Sequence, residues 1–146
     1  MTKTISTILC IVCMAMTMLL SSCQSKIDQS QYRDQILGKW KCTYEKQIST
    51  KGTVIEDYPN YIAEFSSGGK YKETHPAEVG GNVNEATWSI DGTNLTLVFE
   101  KLTDNGKIVN FTDKQLVVEY TTFVEVKGVK GSSGYVHCHT EYERVK

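Results

Sequence analysis

Apolar and polar residues alternate along most of this chain with a period of two. In Gly38-Lys39-Trp40-Lys41-Cys42-Thr43-Tyr44, the side chains of Trp40, Cys42 and Tyr44 share one face, and those of Lys39, Lys41 and Thr43 share the other. That is a strand buried on one side and wet on the other. The pattern returns in Tyr61-Ala63-Phe65, around Tyr71, in Ala86-Trp88-Ile90 and in Leu95-Leu97-Phe99. Further strands are predicted over 108–111 and 116–126, the second including Tyr120. In the last strand, 135–145, Val136, Cys138, Thr140, Tyr142 and Arg144 oppose His137, His139, Glu141 and Glu143. Turn residues punctuate these runs at Ser67-Gly68-Gly69, Asp91-Gly92, Asp104-Asn105-Gly106 and Thr112-Asp113-Lys114. Thr53–Asp57 reads as a short strand, with Pro59 interrupting the ladder.

No ten-residue helical pattern intervenes; only 32–37 suggests a helical turn, whose Tyr32, Ile36 and Leu37 would plug one end of the fold. The fold class is therefore all-β and antiparallel. Eight or nine short strands would also suit a sandwich. An up-and-down β-barrel of about eight strands fits better, because nearly every connection is short enough for a hairpin and closure removes the edge strands. In such a barrel the first strand must pair with the last.

The first segment stands outside this pattern. Lys3 precedes an apolar run from Ile8 to Leu20, too short for a comfortable membrane span, and Leu20-Ser21-Ser22-Cys23 follows. All four Met residues precede Cys23 and every aromatic residue follows it. The segment resembles a bacterial lipoprotein signal, in which an aliphatic residue and two small residues lead to a cysteine that is acylated. The resemblance implies a signal peptide over 1–22, a lipidated N-terminus and tether over 23–35, and a barrel domain over 36–146. It also implies a bilayer partner reached through acylated Cys23, in the bacterial cell envelope at the outer membrane. Two or three acyl chains would hold the protein firmly, since one alone anchors only marginally.

The net charge of -1 becomes about -2 without Lys3, which gives no reason to expect nucleic acid as a partner. Among the five cysteines, Cys10 and Cys13 leave with the signal and Cys23 takes lipid. Cys42 and Cys138 remain, in an oxidising compartment, as a candidate disulfide between first and last strands or as two buried thiols. The bridge would close a loop of about a hundred residues.

Ile36-Leu37-Gly38-Lys39-Trp40, then Ala86-Thr87-Trp88-Ser89-Ile90-Asp91-Gly92-Thr93-Asn94-Leu95, then Glu141-Tyr142-Glu143-Arg144 resemble the lipocalin-like (calycin-like) domain of small bacterial lipoproteins. The resemblance spans about 32–146. It implies barrel closure by Trp40 with Arg144 stacked over it, and binding of a small apolar molecule. Cation–π attraction gives that stack its physical basis. Pairing Trp40 with Arg144 puts Cys42 opposite Tyr142 rather than Cys138, so the stack and the disulfide compete for register.

No nucleophile elbow, zinc-protease motif or phosphate cradle is present. His137-x-His139 with Glu141 or Glu143 has the residue types of a metal site, but alternation puts the pair outside the barrel. His75 could reach a barrel mouth. The carboxylates Glu64, Glu73, Glu85 and Glu100 read as outward or rim positions. No catalysis, cofactor or metal is expected. The inner faces offer Tyr44, Tyr61, Phe65, Tyr71, Trp88, Phe99, Tyr120 and Tyr142 to line a ligand cavity, unless they fill the barrel themselves. The mouth would be formed by 49–59, 76–84 and 127–134, which the sequence alone does not place at one end. The functional expectation is a membrane-anchored lipoprotein holding a small apolar or amphiphilic ligand. The alternative is an envelope protein–protein interaction module or inhibitor with a filled barrel.

Overall fold

In the computed structural model, which describes residues 26–49, 52, 54–124 and 134–146, nine strands form one antiparallel sheet among the described residues. They are β1 (Gly38–Ser49), β2 (Val54–Asp57), β3 (Ile62–Ser66), β4 (Lys70–Thr74), β5 (Val83–Asp91), β6 (Asn94–Val98), β7 (Thr103–Phe111), β8 (Gln115–Val124) and β9 (Gly134–Arg144). From β3 onward each strand pairs with the next; β1 takes β3 on one side and β9 on the other. This closes a ring of eight strands, the expected up-and-down barrel. The ninth, β2, pairs with the far half of β1, from Glu45↔Asp57 to Ile48↔Val54.

Closure follows the register Trp40↔Arg144 and Cys42↔Tyr142. The competition seen in the sequence is thus decided for the stack. Cys138 lies opposite Gln47 instead, and Cys42 and Cys138 are both free and buried. The candidate disulfide does not form, because bridging would slip the closing strand and lose the Trp40–Arg144 pair.

A bulge follows at once. After Cys42↔Tyr142 the next pair is Tyr44↔Glu141, leaving Thr43 unmatched. One extra residue turns every later side chain of that strand to the opposite face. Tyr44, expected inside, therefore points out, where its ring meets Tyr58 at 5.5 Å and His139 at 6.4 Å. Glu45 and Gln47 take the inner face instead.

Asp104-Asn105-Gly106 does not form the expected turn but lies within β7. The chain reverses earlier, where the Phe99 N–H donates to Leu102 O at 2.8 Å. Gly106 sits opposite Tyr120, and a Cβ there would fall 2.6 Å from the Tyr120 ring. The glycine serves close approach between strands, not chain reversal.

One end of the barrel is sealed. The single-turn helix α1 (Tyr32–Gln35) presents Tyr32 to the core, and Ile36 follows it, fully buried. Tyr32 and Trp40 meet Phe111 edge-on at 5.0 and 5.7 Å, and the Trp40 Nε1–H donates to Ile36 O at 2.7 Å. Arg144 caps the group, with its Cζ 4.1 Å from the Trp40 ring centroid. Part of the expected tether over 23–35, from Lys26 onward, packs against the barrel. Lys26 bridges to Thr112, and the Ile27 N–H donates to Phe111 O at 2.9 Å. Burial of Tyr32 and Ile36 explains why this segment docks.

Because the strands run up and down, the connections after β1, β4, β6 and β8 share the other end, the mouth. The described part of the first expected mouth region, 54–59, therefore lies together with 76–84. Of the third expected mouth region, 127–133 falls outside the described residues, while the flanking pair Val124↔Gly134 stands at the mouth.

Replacing Trp40 with Ala should cost about 3–5 kcal/mol, as for other large core aromatics. Urea denaturation is the measurement, and a loss under about 1 kcal/mol would reject Trp40 as the anchor of the base.

Candidate functional site

The barrel interior changes character along its axis. Near the base it is apolar and filled: Ala63, Phe65, Leu95, Leu97, Ile108 and Val118 are all buried. Two of the expected ligand-lining residues belong to this packing. Phe65 and Trp88 meet edge-on at 5.7 Å, and the Trp88 Nε1–H donates to Ser66 O at 3.0 Å, tying Trp88 to the base-end turn.

Higher up, four tyrosines converge. Tyr61 and Tyr142 join hydroxyl to hydroxyl at 2.9 Å. Tyr120 lies beside Tyr142, and the Cys42 thiol, which donates to Tyr44 O at 3.8 Å, lies beside Tyr61. Tyr71 donates to Glu73 Oε1 at 2.7 Å. Burial is the largest cause raising all four phenol pKa values. All four therefore stay protonated and can act as donors. Expected residues Tyr61, Tyr71, Tyr120 and Tyr142 are thus brought together, with Phe99 partly buried beside them and 6.1 Å from Tyr71.

Above the tyrosines the interior turns acidic. The bulge at Thr43 swings Glu45 inward, where it accepts from Gln47 Nε2. Glu73 follows Tyr71 on the inner face of β4. It accepts from Asn84 Nδ2 at 3.3 Å and lies 3.6 Å from His75 Nε2. His75 is at the mouth, with its ring 4.9 Å from that of Tyr61. Asp104 faces inward from β7 and is held by Thr122. One carboxylate oxygen, Oδ1, is shut off from solvent and accepts no hydrogen bond. Burial, then the nearby Glu73 carboxylate, raises the Asp104 pKa, while the Thr122 bond works against the rise.

The wall at this level is notched. Residues 83–86 of β5 pair only with β4, because β6 stops where Thr87 meets Val98. A cleft of about 790 Å³ occupies the notch, lined by Glu73, Asn84, Phe99, Leu102 and Asp104 among others. A second cleft of about 660 Å³ opens at the same end beside Glu45, Tyr61 and His75.

Sequence reasoning missed Glu45, Glu73 and Asp104 as inner residues. For Glu73 the signal was present, since alternation from buried Tyr71 puts it inside. Asp104 was hidden by its reading as a turn residue, and Glu45 by the bulge. His137 and His139 lie outside the barrel, as alternation requires. They line an outer groove with Lys46, Lys107 and Glu119. Among the described residues no group of three or more His, Cys, Asp or Glu is placed to hold a metal.

Two measurements check this arrangement. The Asp104 carboxyl holds its proton more tightly in the folded chain than in the unfolded one. It therefore lowers stability as pH rises above the unfolded value of 3.8. Asp104→Asn should unfold at higher urea than wild type at neutral pH, and the gain should fade as pH falls toward 3.8; an unchanged or lowered midpoint at neutral pH would contradict it. The thiols supply the second. Burial pushes Cys42 up to about 12 and Cys138 up to about 11. At about pH 8 both should resist an aromatic disulfide reagent in the native protein and react in urea. Fast native reaction would place them elsewhere.

A family model for the lipocalin-like domain matches residues 36–118, more than half of the 146 residues. No curated protein matches the chain. Among solved structures, the chain is similar to the bovine lipocalin allergen Bos d 2, at 15% identity and a TM-score of 0.47, over 77% of this chain and 75% of that one. The matched segment runs from the plug at Ile36 through the middle of β8 and contains the Trp40 and Trp88 motifs. The chain belongs to the lipocalin-like domain family.

Proposed function

We propose that this protein is an envelope lipoprotein, anchored to the outer membrane through acylated Cys23, that binds one small amphiphilic molecule at the mouth of its barrel without catalysis. The observation that carries the reading is the one-ended barrel. The base is filled and capped, whereas the mouth combines aromatic surface, tyrosine hydroxyls and carboxylates beside open clefts. Binding sites of this kind join apolar walls to a few convergent polar groups. Phe99 and Tyr71 offer the apolar wall. Glu73, Asp104 and Glu45 offer acceptors, and no Lys or Arg faces them from the inner positions of this level among the described residues. The favoured ligand therefore has an apolar body and a donor-bearing head, an amine before a hydroxyl. The non-catalytic part is supported by the state of the inner thiols and phenols. Burial keeps them protonated, the opposite of what an activated nucleophile needs.

The second reading, an interaction module, is favoured by a different observation. Among the described residues, most of the exposed large apolar side chains stand around the mouth, including Val54, Ile55, Tyr58, Val79 and Leu102. β2 also pairs on one side only among the described strands. A partner strand could add to that edge.

Calorimetric titration with dodecylamine and dodecanol tests the first reading. Dodecylamine should bind one to one, and the double variant Glu73→Gln, Asp104→Asn should weaken it about tenfold, the scale of one charge-assisted hydrogen bond. Failure of both probes to bind, with a protein co-purifying from the native membrane, would favour the second.

A further inference from the structure

We infer that the sealed base of the barrel, not its apolar-rimmed mouth, faces the bilayer. The inference rests on acylation of Cys23, proposed above, and adds an orientation that acylation alone does not give. Lys26 is fixed against Thr112, and Ile27 against Phe111, at the base. Thr112 and Phe111 are themselves buried. Only three Cα–Cα steps separate Cys23 from Lys26, and at 3.8 Å each they span at most about 11 Å. That leash limits how far the lipid attachment can lie from the β7–β8 turn.

The barrel is much longer than this leash. β9 has 11 residues, which at about 3.3 Å each and a tilt near 40° give a height of about 28 Å along the axis. A mouth at that height cannot turn toward the lipid while the base is tied within about 11 Å of it.

Two consequences follow for the site. The ligand enters from the aqueous compartment rather than by extraction from the supporting leaflet. The apolar rim at Val54, Tyr58 and Val79 is not a membrane-insertion surface, although its composition alone would suggest one.

Site-directed spin labelling of the full-length acylated protein tests the orientation. A nitroxide would be placed at Lys114→Cys on the base or Val79→Cys on the mouth, both exposed in the native fold. Cys42 and Cys138 are buried and would not compete for label. The protein is reconstituted in phosphatidylcholine vesicles doped with a nickel-chelating lipid. Lipid-borne nickel should relax the Lys114→Cys label strongly and the Val79→Cys label weakly. Equal or reversed relaxation would overturn the orientation while leaving anchoring and ligand binding standing. Failure of the protein to partition with the vesicles would remove the anchor, and the orientation with it.

Discussion

The guanidinium of Arg144 holds this fold in register. It lies over the Trp40 ring, donates from Nη1 to Leu37 O at 3.1 Å and from Nε to Asp113 O at 2.8 Å, and reaches Gln35 O through Nη2. One side chain thus joins the last strand, the first strand, the β7–β8 turn and the N-terminal plug. Four separate contacts on a planar donor fork are geometrically demanding, which is why they specify a single register. A slip along β9 would break all of them at once. Main-chain bonds beside the stack, Val145 N–H to Lys39 O and Arg144 N–H to Lys114 O, tighten the same junction.

Fixing closure at one end has a consequence at the other. Beyond the stack, β1 is free to carry a bulge without unseating the barrel. The bulge at Thr43 changes which residues look inward, exchanging an aromatic for Glu45 and Gln47. The apolar base and the polar mouth are therefore built from the same strands, with the change of character set by one inserted residue. The short β6–β7 hairpin adds the notch on the opposite wall, where Phe99 and Asp104 approach Glu73.

The fold was legible in the sequence because its strands alternate cleanly: inner positions from Tyr61 through Phe99 fall where period-two reading puts them. The closing register was legible as two competing options, since sequence cannot weigh a stack against a disulfide. The site was less legible, and each miss has a physical cause. Tyr44 was misassigned because a bulge has no composition signal. Asp104 was misassigned because Asn-Gly normally marks a turn, whereas Gly106 is required by the ring of Tyr120. The plug was legible, since Tyr32 and Ile36 seal the base as expected, whereas the docking of Lys26 and Ile27 was hidden because a short polar stretch shows no periodicity.

The polar mouth is also an argument about where function resides. Packing alone would have continued the Leu and Val filling upward. Instead the upper interior holds three carboxylates, one of them with a buried oxygen that accepts nothing, and such a group costs stability. A cost of this kind persists where something other than folding selects it. It also falls where folding can tolerate it, because residues 83–86 of β5 lack a β6 partner and closure is already fixed below. Stability is concentrated at the base and unmet hydrogen-bonding capacity at the mouth. That division lets the mouth change its chemistry without loosening the barrel.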